Sequence, residues 1–325
     1  MRATQNAHHF PASRAIARAT TGAHCEASVA DRARARDSSM GLTPRRRSAR
    51  RGHRISDFTE DGGHMLVSGR FELGHALIHR DSLEEVAQEV VLLAARSGPA
   101  MVVTPNADQV VNLERDPALR AAYARADLVV PDGMPVVWAA RLLGTPVKER
   151  VTGSDLMPRL CEIAAQRGLK VFLLGGAKGI AERAADNLVR SHPRLAVAGT
   201  SCPPPGFEHD AEQNAAIVEA IRRSGADLVF VCLGSPKQEV WTCKHLAQFD
   251  RGVFLAVGAA IDFCAGTTQR APGWMQHAGL EWLFRLSHEP RRLIGRYTRD
   301  LYFFVLLARQ VWRRVRPATH GAYPS

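Results

Sequence analysis

KVFLLGGAKGIAERAADNLVRSHPRLAVAGT, residues 170–200, decides the fold. It opens on an apolar run at 170–174, breaks at Gly175-Gly176, passes through a helical stretch near 178–191 and returns to a second apolar run at 195–200. Strand, glycine loop, helix and strand in about thirty residues read as a βαβ unit. The same alternation repeats on both sides of it. Runs at 100–104 (AMVVT), 128–131 (LVVP), 227–233 (DLVFVCL) and 252–257 (GVFLAV) are predicted strands. Helices fill the intervals. One starts at Ser154 as N-cap, sets Leu156, Leu160, Ile163 and Ala164 on one face and stops at Gly168; others run near 211–224 and 236–248.

Short apolar runs alternating with amphipathic helices indicate a parallel sheet covered by helices, and right-handed crossovers place those helices on both faces. The expected class is α/β, a Rossmann-like doubly wound, mostly parallel sheet of about six strands over residues 65–278. A basic amphipathic helical appendage is expected at 279–316 and a disordered tail at 317–325.

The chain has 325 residues and a net charge of +11, and the charge is unevenly placed. Residues 1–64 hold 12 Arg against 6 acidic residues, and 285–325 hold 9 Arg against 2, so the body between is slightly acidic. A nucleic-acid-binding core would carry the basic face itself, so no nucleic acid is expected as partner. Residues 1–64 have too few large apolar side chains to fold and contain no apolar stretch of the kind a secretory signal needs. They are expected to be a disordered basic tail, or to precede a true start at Met40 or Met65. The six cysteines form no C-x-x-C pair and have no His at zinc-ligand spacing, so they are read as reduced thiols.

Ligands of open α/β sheets bind beyond the carboxyl ends of the strands. Five such ends are polar or glycine-rich: Thr104-Pro105-Asn106, Pro131-Asp132-Gly133, Gly175 to Gly179, Gly234-Ser235-Pro236-Lys237-Gln238 and Gly258 to Asp262. Each alone suits a turn or a helix cap; five on one edge point to a site. The Gly175–Gly179 loop, leading into a helix, suits a diphosphate. It is not G-x-G-x-x-G, and the strand at 195–200 is followed by no acid to hold a ribose, which argues against an NAD site; no P-loop motif occurs. Asp132, at a strand end beside a glycine, suits a general base. Asp262 is expected to have a structural role, for example as a helix cap. The chain contains no Asp-x-Asp, the pair that commonly holds a divalent ion on a sugar nucleotide, so no metal and no other cofactor is expected. Charge on a leaving diphosphate would then be met by Arg, Lys and backbone N–H groups.

These motifs, T-P-N at 104–106, V-V-P-D-G-M at 129–134, E-R-V-T-G-S-D at 149–155, G-S-P-K-Q-E at 234–239, D-F-x-A-G-x-x-x-R-A-P at 262–272 and G-L-E-W-L-F-R-L-x-x-E-P-R-R at 279–292, taken in order, closely resemble the WecG/TagA/CpsF bacterial glycosyltransferases over about residues 75–310. The resemblance implies an inverting, metal-independent transfer from a UDP-sugar to an undecaprenyl-diphosphate-linked sugar in cell-surface polysaccharide synthesis. The donor would be N-acetylmannosamine, its uronic acid or glucose. It implies Asp132 as base, Thr104 and Asn106 as its active-site neighbours, Arg150, Lys237 and Gln238 as ligand contacts, and Gly175-Gly176 as part of the nucleotide pocket.

It also implies that the appendage meets the cytoplasmic face of the inner membrane and brings Arg285, Arg291 and Arg292 to diphosphates, and it leaves room for a homo-oligomer. Gly295 interrupts a stretch that relatives keep more basic. Independently, Leu301, Phe304, Val305, Ala308, Val311, Trp312 and Val315 recur at helical spacing among Arg309, Arg313, Arg314 and Arg316, as in an interfacial helix. The same pattern suits a helix packed on the core with a solvated Arg face. An apolar run from Leu301 to Ala308 falls far short of the ~20 residues that span a bilayer. The competing readings are a nucleotide-cofactor oxidoreductase on a similar sheet, and a non-enzymatic membrane-surface binding protein.

Overall fold

The computed structural model describes residues 69–288 and 290–315. The expected tails at 1–64 and 317–325 lie outside those residues. All six expected strands form: β3 (Ala100–Val103), β4 (Leu128–Val129), β5 (Lys170–Gly175), β6 (Ala196–Ser201), β7 (Leu228–Cys232) and β8 (Val253–Ala256). They make one sheet of order β4-β3-β8-β7-β5-β6, parallel at every pairing.

The pleat divides each strand between two cores. Met101 and Val103, Phe172 and Leu174, Val229 and Val231, and Phe254 and Ala256 face one; Ala100 and Val102, Val171 and Leu173, Leu228 and Phe230, and Val253 and Leu255 face the other. The second core is covered by α1 (Leu83–Ala95), α5 (Gly153–Arg167), α6 (Ile180–Ser191) and α9 (Ala260–Cys264). The first is covered by α2 (Ala107–Leu113), α3 (Pro117–Arg125), α4 (Met134–Leu142), α7 (Ala211–Ser224) and α8 (Lys237–His245). Helices on both faces of a parallel sheet make the fold doubly wound.

Two local expectations are corrected. The N-cap of α5 is Thr152 rather than Ser154. Thr152 Oγ accepts the Asp155 N–H at 3.1 Å, and at Gly153 a Cβ would come within 2.5 Å of the Val257 carbonyl oxygen. The helix ends as expected at Gly168, left-handed at φ 70°. The thiol reading holds for Cys161, Cys202, Cys232 and Cys264; Cys243 is instead disulfide-bonded, a pairing that sequence spacing does not show.

One element escapes the sequence pattern, an antiparallel hairpin of β1 (Arg70–Leu73) and β2 (Ala76–His79). It seals the edge strand β4: His79 Nδ1 lies 3.0 Å from the Val129 nitrogen and 3.1 Å from its carbonyl oxygen. Burial, helped by the charge of Arg70, lowers the His79 pKa to about 4. The ring is therefore neutral near pH 7.

After α9 come α10 (Gly273–His277), α11 (Glu281–His288) and α12 (Pro290–Val315). Two stripes of α12 are apolar. Phe303 and Leu307, 0% and 6% exposed, join the first core. Gln310 donates to the Glu72 carbonyl at 2.6 Å and accepts the Gly74 N–H at 3.1 Å, and Arg314 donates to the Leu143 carbonyl at 2.7 Å. On the opposite side Leu301, Phe304, Val305, Trp312 and Val315 are exposed. One side of this helix thus packs on the core, as the second reading expects, and the other is open. Among the described residues no helix is long and apolar enough to cross a membrane.

The β5–α6 junction gives a stability prediction. Gly175 has φ +123°, and a Cβ there would sit 2.3 Å from the Cys232 carbonyl oxygen on β7. Backbone strain and a clash with main chain combine, so Gly175→Ala is expected to cost about 3 kcal/mol or more. Gly98, at φ +84° with nothing within 4 Å, should cost only about 1–2 kcal/mol on the same change. Urea unfolding of the two variants checks the contrast; equal midpoints would refute it.

Candidate active site

The strand order sets where a ligand lies. From β5 the chain leaves towards β6 at one edge, and from β7 it leaves towards β8 on the other side. Neighbouring strands whose connections diverge open a crevice at their carboxyl ends. Gly175 and Gly176 stand at that point, where the Gly176 N–H meets the Cys232 carbonyl at 3.3 Å. Four helices starting along this edge, α4, α6, α8 and α9, have no side-chain cap. Helix starts without a side-chain cap turn a positive dipole end towards this edge, which favours an anion there.

Asp132 stands just past β4. Its N–H donates to the Pro105 carbonyl at 3.0 Å, and the Pro131 carbonyl accepts the Val151 N–H at 2.9 Å. Two loops thereby hold the Asp132 backbone, and its side chain is half-buried. Gly133 lies against Asn106, whose Cβ is 3.6 Å from where a glycine Cβ would stand. Asn106 is the N-cap of α2 and accepts the Asp108 N–H at 3.0 Å. The buried Thr104 hydroxyl donates to the Ala256 carbonyl at 3.1 Å, tying β3 to β8. Thr104, Asn106 and Asp132 are therefore brought together, the first two bonded to backbone.

The ligand contacts implied for 237–238 find other partners. Gln238 is 2% exposed; its Oε1 accepts the Gly258 N–H at 3.1 Å and its Nε2 donates to Glu239 at 3.0 Å, bridging the ends of β7 and β8. Lys237 pairs with Glu208 at 2.9 Å and lies 5.7 Å from the Phe207 ring centroid, on the side of β6. Asp262 is not a cap: it sits inside α9, whose N-cap is Ala259. A carboxylate in a first turn still favours the helix dipole.

A network of ions covers the Asp132 end. Arg150 pairs with Glu281 of α11 at 3.2 Å, the two side chains 16% and 12% exposed. Asp155 accepts from Thr152 at 2.7 Å and from Arg270 at 2.6 Å. Burial alone would raise the Asp155 pKa, but the Arg270 and Thr152 hydrogen bonds outweigh it and hold the carboxyl below its usual range. Asp132 and Glu281 also act electrostatically on Arg270. Arg285 lies on α11, and Arg291 and Arg292 in the first turn of α12, with Arg291 exposed.

Three residues of this edge were not assigned from sequence: Arg270, Glu239 and Tyr123. The first two lie within quoted motifs, at 262–272 and 234–239; nothing local marked Tyr123. Burial raises the Glu239 pKa. Burial, with the charges of Glu239, Asp132 and Asp108, also raises that of Tyr123. Among the described residues no group of three or more His, Cys, Asp or Glu side chains could hold a metal ion. A cleft of about 360 Å³ lined by Glu219, Arg222, Asp250 and Arg251 lies at the opposite, amino edge of the sheet and holds none of these motifs.

The fold is that of a doubly wound α/β protein whose sequence motifs gather at the carboxyl ends of a parallel sheet. The chain belongs to the glycosyl transferase WecG/TagA/CpsF family, whose model matches residues 72–317, and it is a glycosyltransferase. It is similar to an N-acetylglucosaminyldiphosphoundecaprenol N-acetyl-beta-D-mannosaminyltransferase of Bacillus spizizenii strain W23, 32% identical over 193 residues, covering 59% of this chain and 73% of that one. A Bacillus subtilis strain 168 protein of the same name is 28% identical over the same shares.

Proposed function

We propose that the enzyme moves a sugar from a UDP-sugar to an undecaprenyl-diphosphate-linked acceptor sugar, with inversion and without a metal, in cell-surface polysaccharide synthesis. The names of the two Bacillus relatives support an N-acetylglucosaminyl-diphosphoundecaprenol acceptor and, among donors, N-acetylmannosamine. The observation that carries the mechanism is Asp132, its backbone held on both sides at a strand end, next to an edge of uncapped helix N-termini.

In this mechanism the acceptor hydroxyl oxygen attacks the anomeric carbon from the face opposite UDP. The bond to the UDP oxygen breaks, the configuration inverts, and Asp132 takes the hydroxyl proton. N–H groups of the loop between Gly176 and α6, with the positive end of that helix, meet the charge that gathers on the leaving diphosphate. The exposed stripe Leu301, Phe304, Val305, Trp312 and Val315, with exposed Arg309 and Arg313 beside it, would rest on the cytoplasmic face of an anionic membrane that holds the lipid acceptor.

The test incubates the purified protein with a panel of UDP-sugars and a synthetic lipid-diphosphate-GlcNAc in detergent with EDTA, and follows UDP release. Turnover with one donor, unchanged by EDTA, is expected. No turnover with any donor would sink the reading; turnover that EDTA abolishes would sink its metal-independent part.

A further inference from the structure

We propose that Arg270 is a ligand-binding residue of this site, and that the side-on edge of its guanidinium takes oxygens of a substrate diphosphate. The proposal rests on the transferase reading above. Arg270 lies on the segment linking α9 to α10, and among the described residues its hydrogen bond is that of Nη1 to Asp155 at 2.6 Å. Asp155 is itself fixed by Thr152 at the first turn of α5, and α5 begins against Val257 at the end of β8. The guanidinium is thus anchored at the carboxyl edge of the sheet.

Its other edge is unused. Nε and Nη2 are both screened from solvent, and neither has a hydrogen-bond partner among the described residues. Charged donors are seldom left so in native proteins. These two N–H groups are parallel and form the fork that meets a phosphate or carboxylate bidentately. The Phe263 ring lies 5.9 Å from Cζ. Asp132 and Glu281 both act electrostatically on the guanidinium, so Arg270 belongs to the same edge as the proposed base.

A diphosphate belongs to both the UDP donor and the lipid-linked acceptor, so the experiment reads both. UDP affinity is measured by calorimetry, and KM for each substrate by UDP release, in the wild type, Arg270→Ala, Arg270→Lys and Asp155→Asn. Arg270→Ala is expected to weaken UDP binding or raise the acceptor KM by about tenfold or more, and the affected constant identifies the diphosphate. Lysine, a point charge without the fork, should not restore it. Asp155→Asn leaves the fork intact and keeps an amide oxygen to accept from Nη1, so it should change the same constant clearly less than Arg270→Ala does.

If Arg270 only clamps Asp155, Arg270→Ala and Asp155→Asn will change the constants equally, and that result overturns the proposal. So do unchanged constants in Arg270→Ala, or full rescue by lysine. Should the alanine variant fail to fold, the lysine variant against Asp155→Asn decides alone. A wild type that turns over a UDP-sugar while Arg270→Ala behaves normally defeats only this inference. A wild type that neither binds UDP nor turns it over defeats the transferase reading as well.

Discussion

Asp132→Asn is expected to lower kcat by about a hundred- to ten-thousand-fold while UDP still binds, as befits loss of a group that accepts a proton in the transition state. The amide fills the same volume, and the bonds that hold the loop, Asp132 N–H to Pro105 and Val151 N–H to Pro131, are main-chain bonds the change leaves in place. A structural effect should therefore be small, and thermal unfolding would show whether it is. Binding of UDP depends in this reading on the Gly175-Gly176 loop and the uncapped start of α6, not on Asp132. Kinetics with the preferred donor, alongside calorimetry with UDP, checks both halves. A variant that keeps most of its kcat would show that another group is the base.

The second large effect separates the two sides of α12. Phe303→Ala empties a fully buried site in the first core and should cost about 3–5 kcal/mol, lowering Tm by roughly 10 °C. The triple change Leu301→Ser, Phe304→Ser and Trp312→Ser touches only side chains that are 64%, 48% and 56% exposed. It should leave Tm nearly unchanged. Burial of such side chains is worth about 1.5–3 kcal/mol each, so partition onto anionic vesicles should weaken at least about a hundredfold. Vesicle sedimentation and thermal unfolding of both variants make the test, and a triple variant that binds vesicles as well as the wild type would remove α12 from the membrane. Cutting the chain after Gly279 is a poorer experiment, because it also removes Phe303, Leu307 and the Gln310 bonds to the hairpin.

Much of the site was legible because strands buried on both faces are continuous apolar runs, so the polar residues just after them stand out. Thr104, Asn106, Asp132 and Gly175 all fall at such ends. Gln238 falls there too, yet its amide is used to join two strand ends, which no local pattern shows. Arg270 stands in a recognisable motif but eight residues past Asp262, and only its bond to Asp155, 115 residues earlier in the chain, places it at the edge. The β1–β2 hairpin was missed because two four-residue strands carry too little periodicity to register.

The six strands, their sequence order, the helices between them and the polar character of one edge were determined by the sequence alone, since burial on a pleat or on a helical face imprints a local period. The order β4-β3-β8-β7-β5-β6, the pairing of Arg150 with Glu281 across 131 residues and the division of α12 into a core face and an open face were decided only by tertiary structure. Each of these depends on where crossovers deliver distant segments. An apolar stripe is the same in sequence whether it meets a core or a membrane, and an arginine carries no local mark of the acid it will find.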